Sequence, residues 1–375
     1  MRVVFVITLS ILIPIGGVLA QSLEGKLNAL LDSVYQANQD ALGILIHVES
    51  PHQDLSWTRA VGFADSARTM PLDPRQAVLI ASNTKSYVAA AILRLVEEKK
   101  VKLDDPIRHV LPQETRMLLE KDQYELDKIT IRHLLSHTSG IHDYVDDDYF
   151  DRVIERPQYQ WKKDEQIKRA MAIGDPLAAA GTAFQYADIN YLLLTDIIEQ
   201  QTDQDFYAAI RSLLKYDELG LKHSWFKDLE PSPADLPPFA HQYARNYGWD
   251  SHEINHAWDL YGGGGMASTV QDAARFYQYL FEGKILGDAR LLNEMHTYVL
   301  PPEESKYCLG LYHLNLGFPL YYHGGWWGTG VNYSPATHTS IAVCTLVKEK
   351  REEINPFLGI RIHQIIRKMQ VGEKE

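Results

Sequence analysis

Cysteine is nearly absent: Cys308 and Cys344 are the only two in 375 residues. Two thiols are too few for a disulfide scaffold, so stability must come from a packed core. Both fall in strand-like runs (YCLGLYHL and SIAVCTLV), where a bridge and two buried thiols are equally open readings. Metal signatures are missing as well. The 15 histidines are scattered and no HExxH occurs. The four glycines 262–265 lack the lysine of a phosphate loop. Positive charge is in short supply: 37 Lys and Arg against 49 Asp and Glu give a net charge of -12. That balance excludes nucleic acid or an anionic membrane surface as the main partner. There is no internal repeat, and beyond the N-terminus no apolar run long enough to span a bilayer.

The N-terminus is the exception. Arg2 is followed by an apolar run from Val3 to Ala20 that closes in Val18-Leu19-Ala20. A positive start, an apolar middle and small residues before Gln21 read as a secretory signal cut after Ala20. No cysteine lies near the cut, which argues against a lipid anchor. The mature chain is expected in a periplasm or outside the cell, with no stable membrane insertion. At 45% hydrophobic content it can build one large core.

Periodicity predicts an amphipathic helix over 22–36 and a strand pair over 41–48 and 55–63. A long helix begins near Ser82, and a short one covers 129–136. Further helices cover 190–201 and 270–281, the latter capped by Ser268. Strand-like runs follow at 307–315, 319–323, 330–334 and 340–348, and a last helix starts near Pro356. The acidic run DYVDDDYFD (143–151) reads as a solvated loop, lacking the glycine and final glutamate of a calcium loop. The expected class is α+β, an antiparallel sheet flanked by helices with a mostly helical insert. Residues 1–20 form the signal and 21–375 a single domain. Its sheet lobe spans about 21–106 and 256–375 and its helical lobe about 107–255, with the reactive groups in the cleft between them.

Chemistry concentrates at Ser82-Asn83-Thr84-Lys85. Ser82 opens a helix after an apolar run, and Lys85, three residues on, projects from the same face. A serine hydroxyl needs a neighbouring base, and a helix N-terminus offers N–H groups to an oxyanion. Ser-x-x-Lys also occurs at Ser212 and Ser224, but one lies inside a helix and the other in a Trp/Phe-rich turn or strand. Two later stretches complete a constellation. Tyr186 precedes a helix, where a tyrosine near a lysine can be held as phenolate. His323-Gly324-Gly325-Trp326 ends a strand, where glycines admit a substrate backbone and the Trp326 N–H would be a second oxyanion donor.

In that order, Ser82-x-x-Lys85, Tyr186-Ala187-Asp188 and His323-Gly324-Gly325 resemble the serine β-lactamase and penicillin-binding-protein superfamily. The likeness is to the branch of class C β-lactamases, D-alanyl-D-alanine carboxypeptidases and esterase-like relatives. Stretches such as ITIRHLLSHTSGI (129–141) and GGGGMASTVQDAARF (262–276) match as well. The resemblance implies an exported serine hydrolase without cofactor or metal, acting through an acyl-enzyme on D-amino-acid peptides, β-lactams or related amides and esters. A carboxylesterase or a penicillin-binding sensor without turnover is the alternative. It makes Ser82 the nucleophile and Lys85 and Tyr186 the acid–base pair. Asp188, His323, Gly324, Gly325 and Trp326 would bind a small-molecule or peptide substrate. Two positions depart from the pattern. Asp188 stands where many members have asparagine; it can only accept hydrogen bonds, and its charge would hold Lys85 protonated. His323 stands where class C β-lactamases usually keep lysine; in this it resembles the carboxypeptidase and esterase relatives, and it would be a poor permanent cation.

Overall fold

The computed structural model of the protein describes residues 22–371, so the expected signal lies outside the described residues. The chain opens with α1 (Leu23–Ala37), β1 (Gly43–Ser50), β2 (Leu55–Gly62), β3 (Val78–Leu79) and α2 (Thr84–Glu97). Helices α3 (Gln113–Lys121), α4 (Ile131–Leu135), α5 (Asp147–Glu155), α6 (Lys163–Ile173), α7 (Asp188–Thr202), α8 (Phe206–Leu213) and α9 (Tyr216–Leu219) follow. Short strands β4 (Ser224–Phe226), β5 (Tyr243–Ala244), β6 (Trp249–Asp250) and β7 (Met266–Ser268) lead to α10 (Val270–Phe281) and α11 (Ala289–Met295). The chain closes with β8 (Tyr312–Asn315), β9 (Pro319–Gly324), β10 (Thr329–Ser334), β11 (Thr339–Thr345) and α12 (Arg351–Val371).

The main sheet is antiparallel, in the order β2-β1-β11-β10-β9-β8. The first and last parts of the chain meet at its centre, where Ile44 pairs with Thr345 and Glu49 with Ser340. Alternation along the strands divides the core. Ile44, Ile46 and Val48 of β1 and Ile341 and Val343 of β11 face Leu27 and Leu31 of α1 and Leu358 and Ile362 of α12. Leu45, Ala342 and Cys344 face the larger core on the other side, which contains α2, α7 and α10. Both α2 and α7 are buried almost all round, as helices without a polar stripe must be. The α+β expectation therefore holds.

Local differences have physical causes. The acidic run is only partly loop: Asp146 caps α5 through the Tyr149 N–H, and Tyr144, Tyr149 and Val153 turn inward while Asp147, Asp148 and Asp151 face out. Residues 307–311 are not strand, since only Tyr307 bridges to Tyr312 before β8 begins. α12 starts at Arg351, and Pro356 lies within its first turns. The cap of α10 is Thr269, whose hydroxyl accepts from the Asp272 N–H, while the Ser268 hydroxyl bonds Ser224. The two cysteines are free and buried. No helix among the described residues is long and apolar enough to cross a membrane.

Candidate active site

Ser82 stands in a tight turn, Ala81–Asn83, that runs directly into α2. Ala81 has a φ of 44°, a left-handed conformation that a residue with a Cβ adopts only when its surroundings impose it. The imposing group is the Ile80 carbonyl. It accepts from the Thr329 hydroxyl at 3.0 Å, from Asn83 Nδ2 at 2.9 Å and from the Asn83 N–H at 3.1 Å. Ser82 N–H lies in the first turn of this helical segment, where an N–H has no acceptor within the helix.

Lys85 is fully buried beneath the serine. Its Nζ donates to Ser82 Oγ at 3.0 Å and to the Gly263 carbonyl at 2.5 Å. It also lies 2.5 Å from Asp188 Oδ1. That last contact is an ion pair without hydrogen-bond direction, and Oδ1 keeps no directed donor. The Tyr186 ring covers the same ammonium, 4.9 Å from its centroid. Burial, and then the charge of Asp188, push the Tyr186 phenol well above its ordinary value, so it is a protonated phenol rather than the phenolate expected from the sequence.

Two carboxyl groups that sequence reasoning missed stand behind this cluster. Asp143, just before α5, accepts from the Tyr144 and Ile189 N–H groups at 2.9 and 3.1 Å. Asp259 comes from a turn before the glycine run and packs against Gly264, where a Cβ would lie 2.0 Å from Oδ2. Burial followed by the Asp188 charge raises both, Asp143 to about 7 and Asp259 well above the carboxylate range. Each is a single polar residue from a separate segment, so no local pattern announces it.

His323 ends β9 with its ring buried. Nδ1–H donates to the Gly324 carbonyl at 2.9 Å, which leaves Nε2 to accept from the Tyr307 hydroxyl at 3.2 Å. Burial, helped by nearby Lys85, lowers the imidazole to about 3, so it is neutral. β9 is not the free edge of the sheet: β8 pairs with it as far as Tyr312 opposite Tyr322. Only the His323–Gly324 end runs past that partner. Gly325 lies behind the residues that line the cleft. A Cβ there would lie 2.1 Å from Thr329 Oγ1 and 2.2 Å from the Ile80 carbonyl, so its bareness lets the protein approach itself. Trp326 N–H makes no main-chain hydrogen bond. Its ring packs on Trp249, Trp258 and Trp327 at centroid distances of 5.4, 5.6 and 4.7 Å.

These groups line a cleft of about 440 Å³. Ser82, Tyr186, His323, Gly324 and Trp326 border it, with Lys85, Asp188 and Gly325 behind. Tyr312, Leu314 and Tyr322 supply apolar walls, and Arg351 and Glu352 form the rim. The sequence had pointed to neither of the last two. Arg351 Nη1 donates to the Gly325 carbonyl at 2.7 Å, and the guanidinium pairs with Glu352.

The comparisons agree with this geometry. The sequence is 29% identical over 227 residues to Esterase EstB of Burkholderia gladioli, covering 58% of this chain and 55% of the esterase. The chain spans no more than about three-fifths of the length of the curated relatives it matches. Among solved structures, a D-amino acid amidase from Ochrobactrum anthropi SV3 superposes with a TM-score of 0.74 at 22% identity, covering 93% of this chain and 100% of the other. A D-stereospecific amidohydrolase from Streptomyces sp. gives 0.69 at 24% identity, with 84% and 94% covered. Both show the same fold. The Beta-lactamase family matches residues 31–358, and the chain belongs to that family.

Proposed function

We propose that the protein hydrolyses amides or esters with an uncharged leaving group, through an acyl-enzyme on Ser82. The carrying observation is the neutral, buried His323 at the end of β9. A substrate with a carboxylate beside the scissile bond is favoured by a lasting cation there. His323 cannot supply it, because its nitrogens are committed to Gly324 and Tyr307. The rim cation Arg351 is occupied by Gly325 and Glu352. The apolar walls suit an aliphatic or aromatic acyl group. Relatives named as an esterase and a D-amino acid amidase support the choice of substrate class.

In this reading Ser82 attacks the carbonyl and its proton passes to Lys85. The N–H groups of Ser82 and Trp326 hold the oxyanion, and Tyr186 donates a proton to the leaving group. Water then releases the acyl group. Export of the mature chain and its single-domain division into a sheet lobe and a helical lobe belong to the same proposal.

The test is a substrate panel. D-Phenylalanine amide and p-nitrophenyl esters are expected to turn over. A D-alanyl-D-alanine peptide and benzylpenicillin are expected to turn over at least tenfold more slowly in kcat/KM. Ser82→Ala is expected to abolish all of it. Faster turnover of the two carboxylate substrates would refute the uncharged-leaving-group reading.

A further inference from the structure

Lys85 presents a problem that the Ser82 mechanism leaves open. Its side chain is wholly buried, and it holds Ser82 Oγ and the Gly263 carbonyl as a donor. To accept the Ser82 proton it must first release one. Nζ itself is buried, and Ser82 Oγ stands between it and the cleft. Three oxygens lie at contact distance: Ser82 Oγ, which is the source of the proton to be moved; the Gly263 carbonyl, an amide oxygen too weakly basic to keep one; and Asp188 Oδ1 at 2.5 Å. Tyr186 presents its ring face to the ammonium and not a basic oxygen.

We propose that Asp188 takes the proton from Lys85, so that Ser82, Lys85 and Asp188 work as a relay. The inference rests on the acyl-enzyme reading above and deepens it. Asp188 acts on Ser82 only through Lys85 and is a positioning and proton-holding residue. The step balances as follows. Asp188 Oδ1 accepts a proton from Nζ, and the ion pair becomes a neutral amine beside a carboxylic acid. The amine lone pair accepts the Ser82 hydroxyl proton as Oγ bonds to the substrate carbonyl carbon, whose π pair moves onto oxygen. Collapse of the tetrahedral species expels the leaving group with a proton from Tyr186. Tyr186 regains its proton from water in the cleft, Asp188 returns its proton to that water, and Lys85 keeps the proton taken from Ser82, which restores the starting ion pair.

Three features favour this transfer. Lys85 Nζ and Asp188 Oδ1 are both buried, and a neutral pair loses less than an ion pair does on burial. Asp188 Oδ1 is buried without a directed hydrogen bond, so it has an acceptor site to fill. The glycine run closes over it: a Cβ on Gly263 would stand 3.0 Å from Asp188 Cγ, so the carboxyl can lie against that backbone while the same residue's carbonyl holds Nζ.

The surroundings keep the exchange confined to one carboxylate. Asp143, before α5, and Asp259, in the turn before the glycine run, face Asp188, and burial favours the protonated acid in both. Tyr186 and Tyr191 are protonated phenols, and His137 and His323 are neutral imidazoles. The charge on Asp188 has a second consequence that opposes the first: it stabilises Lys85 as ammonium. A purely static carboxylate would therefore slow the reaction, and its removal would speed it. A proton-accepting carboxylate gives the opposite sign.

The experiment compares wild type, Asp188→Asn, Asp188→Glu and Ser82→Ala on p-nitrophenyl acetate from pH 5.5 to 9.5, with thermal melting of each. Asp188→Asn keeps the shape and removes the basic oxygen. It is expected to lower kcat/KM at pH 7 by about 10²-fold or more. Part of the loss should return toward pH 9.5, where solvent base substitutes, so its profile rises with pH more steeply than that of wild type. Asp188→Glu is expected to recover at least tenfold over Asp188→Asn with a wild-type-shaped profile. An unchanged or raised rate in Asp188→Asn, or equal losses in the two variants, would overturn the relay, and the second comparison stands even where Asp188→Asn melts early. If Ser82→Ala kept wild-type turnover, or wild type showed none, the acyl-enzyme reading would fail and the relay with it. A dead Ser82→Ala beside an active Asp188→Asn would remove the relay alone.

Discussion

The imidazole of His137 lies under the phenol ring of Tyr186, with centroids 4.2 Å apart and planes inclined by 31°. The same residue holds the chain on both sides of the tyrosine. Its carbonyl accepts from the Gln185 N–H at 2.8 Å, and its Nδ1 accepts from the Ala187 N–H at 3.2 Å. Burial keeps the imidazole neutral, as an acceptor at Nδ1 requires. His137→Ala would remove the ring and one acceptor together. We expect a stability loss of about 2–5 kcal/mol, as for other large buried side chains, and a fall in kcat larger than any change in KM. Urea unfolding and steady-state kinetics on one ester measure both. Unchanged kcat would show that Tyr186 does not depend on this support.

Asp143 makes stability depend on pH in a direction opposite to that of an ordinary ion-paired carboxylate. Its carboxyl is raised to about 7, first by burial and then by Asp188. The folded protein therefore keeps a proton that the unfolded chain releases near its ordinary value of about 4. Stability from this group is fully present below pH 4 and is lost as pH rises toward 7, by about 1.4 kcal/mol per unit. Asp259 acts in the same direction. Asp143→Asn can still accept from the Ile189 N–H but cannot titrate. The difference in unfolding free energy between wild type and variant, followed from pH 4.5 to 7.5, should slope by about one proton. A flat difference would place the Asp143 carboxyl in its ordinary range.

What the sequence disclosed follows from how locally each feature is encoded. Ser82 and Lys85 are three residues apart at a helix start, and helical geometry alone brings them together. The strands were legible because β1 and β11 alternate between two cores. Tyr186 and His323 could be named from their neighbours, but their charge states depend on burial, which is a property of the assembled core. Hence Tyr186 is phenol and not phenolate. Asp143, Asp259 and His137 are single polar residues that reach the site from stretches carrying no spacing that marks them. The run 143–151 misled because its acids dominate composition while its aromatic residues settle its fate: Tyr144 and Tyr149 are wholly buried.

Cys308 and Cys344 are free, buried and raised by burial, Cys308 to about 12. A thiolate is the reactive form, so neither thiol should react with a water-soluble disulfide reagent in the folded protein. Two equivalents should react after denaturation without reductant. Fewer than two under those conditions would reveal a bridge. Rapid reaction of the native protein would mean that one of the two strands opens readily.

Gly325 lies where the turn carrying Ser82 meets the end of the sheet. Its N–H donates to the Thr329 carbonyl at 2.8 Å, and its Cα faces Ile80 and Thr329. In Gly325→Ala the new methyl would sit 2.2 Å from the Ile80 carbonyl, a backbone atom that also holds Asn83 and fixes the strained Ala81. The Thr329 hydroxyl can rotate aside; the carbonyl cannot. The turn must therefore move away from the sheet, taking Ser82 with it and separating its N–H from that of Trp326. We expect overpacking to cost about 1–3 kcal/mol, together with a fall in kcat of about 10²-fold from the loss of one oxyanion donor. Gly324→Ala is the control, because the methyl there would meet the Tyr322 hydroxyl, the movable end of a side chain. Melting temperature and ester turnover of the two variants decide the matter. If Gly325→Ala were as active as Gly324→Ala, the coupling between this glycine and the serine turn would be absent.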